Sequence, residues 1–131
     1  MAHAATRRER RATRRTLRAT LRHRAAAGRL AASCHRRPRS LATVALAAGV
    51  AKDTATGVAN GLRSVAKRLG LTPAEQARTR RTIAGGRAHR THSVARWNLG
   101  QIRTLLAAYR PRKPEFIAAV ALLAAFAGGA R

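Results

Sequence analysis

The chain has 131 residues, room for one small domain and an arm. It carries 28 Lys and Arg against 4 Asp and Glu, a formal net charge of +24, and self-repulsion on that scale opposes compaction unless a polyanion neutralises it. So few carboxylates leave little material for acid–base catalysis, and the scarcity of large apolar side chains beside abundant Ala excludes a thick core.

Residues 1–40 read as a basic, partly disordered arm. In "TRRERRATRRTLRATLRHR", Arg7, Arg11, Arg14, Arg18 and Arg22 recur at steps of three or four. Like charges at those steps repel in an isolated helix. The reading is therefore a segment that becomes helical on DNA, where phosphates remove the repulsion. Pro38 breaks it.

Residues 41–71 predict two short helices. Ser40 is an N-cap for the first, over 41–48, and Gly49 ends it. Asp53 or Thr54 caps the second, which runs to Leu69 with Val58, Leu62, Val65 and Leu69 as its apolar stripe. Arg63, Lys67 and Arg68 sit off that stripe, and Gly70 is the stop. Ala45 is small where two helices would cross, Val44 and Val50 flank the turn, and Val58 returns to the core nine positions after Gly49. These positions, over residues 41–62, resemble the helix-turn-helix DNA-binding superfamily. The resemblance implies that Lys52, Thr54, Thr56 and Asn60 face the groove, with Arg63 beside them. Asn reads adenine, and Thr contacts base edges or phosphate.

Residues 72–110 predict two further helices. In "LTPAEQ", Thr72, Pro73 and Glu75 match a capping box, giving a helix from Pro73 to about Ile83 that ends at Gly85–Gly86. Another, roughly 90–109, carries Val94, Trp97, Ile102, Leu105, Leu106 and Tyr109. Residues 111–131 are a Pro-containing linker and an apolar helix of about fifteen residues. At roughly 22 Å it is short of the ~30 Å bilayer core, which leaves core, dimer contact and membrane anchor as its roles. No segment alternates β-branched residues, so no sheet is expected. The fold class is all-α: a small bundle of about four to five short helices.

Cys34 is the lone cysteine and suits a reducing cytosol. The basic start lacks the apolar run of a signal peptide. His89 and His92 in "HRTH" fall short of a zinc ligand set, and no cofactor, metal or catalytic grouping is expected. The reading is a non-enzymatic, cytoplasmic DNA-binding protein, and Arg- and Ala-rich usage suits a bacterial plasmid or phage regulator or accessory factor. A homodimer is a further expected partner. The alternative is a membrane-associated protein at the inner membrane, its basic parts on the cytoplasmic side, as for a plasmid transfer accessory.

Overall fold

In the computed structural model, which describes residues 6–82, 86 and 89–128, Thr6 opens a continuous 30-residue helix, α1 (Arg7–Arg36). Thr6 Oγ1 accepts from the Glu9 N–H at 3.2 Å, and Glu9 Oε2 accepts from the Thr6 N–H at 2.6 Å. From Thr6 onward, the arm expected to be partly disordered is instead capped and helical. A complete capping box satisfies two donors of the first turn, and a sequence dominated by Ala, Arg and Leu outweighs Gly28 and the charge repulsion. The helix stops at Arg36, two residues before Pro38. Residues 6–29 are exposed throughout; α1 meets the rest of the protein through its last turns, where Cys34 is buried and the His35 ring lies 4.8 Å from that of Phe126.

Ser40 caps α2 (Leu41–Ala47), accepting from the Thr43 N–H. The turn after it needs a left-handed residue, and Gly49 supplies it with φ +96°. The Val50 N–H donates to Ala45 O across this turn, and α3 (Lys52–Leu69) follows. Its N-cap is Ala51, with no side-chain cap; neither Asp53 nor Thr54 fills that position. Ala55, Val58, Ala59, Leu62, Val65 and Ala66 are buried. Each fully buried Val or Leu contributes about 1.5–3 kcal/mol and each Ala much less, so α3 depends on close approach rather than bulk. Gly70, at φ +69°, ends α3 as the sequence suggests, and the Leu71 N–H reaches back to Ala66 O.

The next segment departs from the all-α expectation. Residues expected as a helix over 73–83 and as the start of one over 90–109 are instead an antiparallel ribbon, β1 (Glu75–Thr82) and β2 (His89–Arg96), in register from Glu75↔Arg96 to Thr82↔His89. Thr72 and Glu75, read as a capping box, make other contacts, Thr72 through its backbone carbonyl. Thr72 O accepts from Gln101 Nε2, and Glu75 pairs with Arg96. The "HRTH" histidines lie in β2, not on a helix. Gly86, with φ +73°, stands in the connection between the strands.

Beyond β2, Arg39 and Trp97 form a two-way backbone clasp. The Arg39 N–H donates to Trp97 O at 3.1 Å and the Trp97 N–H to Arg39 O at 2.8 Å. Asn98 and Gln101 then make a capping box for α4 (Leu99–Ala108). Pro114 opens α5 (Pro114–Gly128). The C-terminal apolar run thus serves as core, turning Ala119, Leu123 and Ala127 inward while Ile117 and Leu122 stay exposed. The core is drawn from every helix plus Val50 and Trp97, and much of it is alanine. Two glycines explain how so thin a core closes. A Cβ on Gly57 would stand 2.6 Å from Phe116 Cζ, and one on Gly61 2.6 Å from the Tyr109 hydroxyl, so α5 and the end of α4 lie directly on the α3 backbone. The described residues are a mostly helical bundle of five helices with one small sheet.

Candidate nucleic-acid interface

On α1, Arg7, Arg11, Arg14, Arg18, Arg22, Arg29 and Arg36 follow one another at steps of three, four or seven. At 3.6 residues per turn these steps keep them within about a quarter turn of one another along a rod of about 45 Å. Thr13, Thr16 and Thr20 occupy the other side, each hydroxyl donating to the carbonyl four residues back. Cys34 shares that side, and it is the side that docks. The arginine stripe therefore faces outward over the helix's whole length.

On α3, Lys52, Asp53, Thr56, Asn60, Arg63 and Lys67 are exposed and form one polar face opposite Leu62. Arg63 Nη1 donates to Asn60 Oδ1 at 2.7 Å, and the Thr56 hydroxyl donates to Lys52 O at 3.2 Å. The Asn60 amide N–H groups and the remaining Arg63 donors point to no described partner. Thr54 behaves differently from its expected companions: it is half-buried and runs with Val58, Gly61 and Val65, away from the polar face. Four of the five expected α3 residues are thus brought together and Thr54 is not.

The four acids leave most of this charge uncompensated, with Asp53 the one carboxylate on the α3 face. Glu9 caps α1, Asp53 and Glu115 lie in the first turns of α3 and α5, where the helix dipole favours them, and Glu75 stands 3.8 Å from Arg96. At 3.8 Å, with Glu75 half exposed, that pair is a weak one. Burial pushes the Cys34 thiol up despite the nearby Arg39, which leaves it an inert core group rather than a nucleophile. Among the described residues no group of three metal-ligating side chains occurs.

Sequence reasoning missed the exposed Arg78 and the half-buried Arg39 and Arg96 as cations placed by the ribbon and its clasp. No β-branched alternation marks these strands in the sequence; pairing of residues 75–82 with 89–96 places them. Comparison with known proteins gives no match, whether to a family model, a curated protein or a solved structure.

Proposed function

We propose that this protein binds double-stranded DNA, with α3 entering the major groove and α1 engaging phosphates, as a regulator or accessory factor acting on DNA. The observation that carries the proposal is the exposed face of α3. A helix about 10–12 Å across matches a groove about 12 Å wide. This one presents Thr56, Asn60 and Arg63 for base edges, with Lys52 and Lys67 for the flanking phosphates. It is held behind α2 by the Gly49 turn, with Ala45 wholly buried and Val58 returned to the core. That placement supports the helix-turn-helix resemblance. The α1 stripe adds affinity without sequence information, since each phosphate it neutralises releases condensed counterions.

The test is selection of a preferred site from random duplex, followed by comparison of that site with random DNA across a salt series. Thr56→Ala and Asn60→Ala leave net charge unchanged, so random-duplex binding and its salt slope should hold. Discrimination should fall by about 1–3 kcal/mol for each base-reading side chain removed. Selection that enriches no motif would sink the groove-reading part of the proposal. The membrane-associated alternative gains no support from α5, which buries a face in the core. Among the described residues no helix is long and apolar enough to cross a membrane.

A further inference from the structure

Between the start of α2 and the base of the ribbon lies a cavity of about 150 Å³, lined by Arg39, Ser40, Thr43, Thr79, Val94 and Arg96. The fold brings these residues together by two routes. The clasp pairs Arg39 with Trp97, next to Arg96. The ribbon register (Glu75↔Arg96, Thr79↔His92) puts Thr79, Val94 and Arg96 on one face, since alternate residues share a side. All six lining residues are half-buried.

The chemistry of the lining is one-sided. Five of the six residues bring hydrogen-bond donors, two guanidinium groups and three hydroxyls, of which the Thr79 hydroxyl also lies 3.2 Å from His92 Nε2, and no carboxylate lines the cavity. Glu75 approaches Arg96 only to 3.8 Å, beyond hydrogen-bond length. The Ser40 and Thr43 hydroxyls are 2.7 Å apart, so one donates to the other and one proton is left over. A second cleft, between α3 and the end of α4, also holds two arginines. There Arg68 donates to Ala108 O, and Arg110 donates to Ala107 O and Tyr109 O, so one nitrogen of each guanidinium is tied to backbone carbonyls. Around Arg39 no such carbonyl partner occurs among the described residues. Forked guanidinium donors, hydroxyls and partial shielding from water suit a tetrahedral oxyanion.

We propose that this cavity is a phosphate-binding site, holding one phosphate group between Arg39 and Arg96 with the Ser40, Thr43 and Thr79 hydroxyls around it. The group is either a diester of the nucleic-acid backbone or free phosphate. Only the diester form rests on the DNA-binding reading. A phosphate seated there joins the N-terminal end of α2 to the ribbon and fixes the ribbon's angle to α3.

Two measurements on the full chain test this. In amide NMR spectra, inorganic phosphate titrated against chloride at matched ionic strength should shift Ser40, Thr43 and Thr79 in the wild type, and not in Arg39→Gln or Arg96→Gln. In duplex binding by fluorescence anisotropy, Arg103→Gln, an exposed arginine on α4, controls for the loss of one charge. If the site takes a backbone diester, Arg39→Gln and Arg96→Gln each weaken binding about tenfold more than Arg103→Gln. Thr43→Val should then weaken binding at unchanged charge. If phosphate shifts the three amides but Arg39→Gln matches Arg103→Gln on duplex, the site stands with free phosphate as its ligand. If phosphate binds and wild type binds no duplex, the site stands and the DNA reading falls. No amide shift together with equal losses in Arg39→Gln, Arg96→Gln and Arg103→Gln overturns the proposal. Thermal melts identify any variant that has merely unfolded, and Thr43→Val is the mild second variant in that case.

Discussion

Gly61→Ala separates helix propensity from packing at a single position. Replacing Gly by Ala inside a helix ordinarily gains about 1 kcal/mol. At Gly61 the new Cβ would meet Tyr109 at 2.6 Å from its hydroxyl oxygen, 2.7 Å from Cε2 and 2.8 Å from Cζ. Comfortable carbon contacts lie at about 3.5–4.0 Å, so the ring must move by roughly an ångström. Its backbone end is fixed, because the Tyr109 N–H is held by Leu105 O and Leu106 O at the end of α4, so the ring must give way by turning about its own side-chain bonds. Overpacking of this kind costs about 1–3 kcal/mol, which offsets the propensity gain and leaves Gly61→Ala destabilising by about 1 kcal/mol. In a Tyr109→Ala background the obstacle is gone, and the same substitution should stabilise by about 1 kcal/mol. The sign should therefore reverse, a coupling of about 2 kcal/mol. Urea melts of the four proteins, followed by far-UV circular dichroism and Trp97 fluorescence, measure it. An equal effect of Gly61→Ala in both backgrounds would refute the close packing of α4 on the α3 backbone.

Removing residues 1–28 takes away most of the arginine stripe and leaves the docked end of α1. Binding should weaken alike on all duplexes, and the log–log salt slope should flatten by about 0.9 for every phosphate that α1 would have neutralised; an unchanged slope would make α1 a bystander. Leu62→Asp puts an unpaired carboxylate where the side chain is 1% exposed. The cost of several kcal/mol rivals the whole stability of a small domain, so the cooperative melt should disappear. Cys34, buried and with its thiol pushed up by that burial, should react slowly with a thiol reagent at neutral pH and quickly in urea. Fast labelling without denaturant would mean that the end of α1 opens readily.

The parts of the fold legible in the sequence are those set by local chemistry. Ser40, Gly49 and Gly70 mark ends of α2 and α3 because caps and left-handed turns depend on few residues, and the Val58–Leu62–Val65 stripe is a one-helix pattern. The ribbon is hidden for the opposite reason. Thr72, Pro73 and Glu75 satisfy a local template, but β1 is decided by pairing with residues 89–96, and a weak helix preference yields to that tertiary partner. The apolar positions around Trp97 look continuous with α4, and that continuity masks the Asn98/Gln101 capping box at the true helix start. On the candidate site, helical spacing places Thr56, Asn60 and Arg63 together, while the same spacing, taken one line further round α3, puts Thr54 behind them. The cavity between α2 and the ribbon is beyond the reach of sequence, because Arg39 and Arg96 meet only through the clasp.

That clasp also orders events in time. α2, its turn and α3 are neighbours along the chain and can associate with little loop closure, whereas Arg39 and Trp97 come together only after everything between them has been threaded into place. Such distant pairing is slow to form because closure entropy precedes its reward. The only tryptophan sits at that junction. Its burial should therefore lag the appearance of helix when the protein refolds, so that stopped-flow fluorescence trails the far-UV signal. The docking of the ribbon against the start of α2, though not the local hairpin itself, would then be late to assemble and, by the same logic, early to come loose.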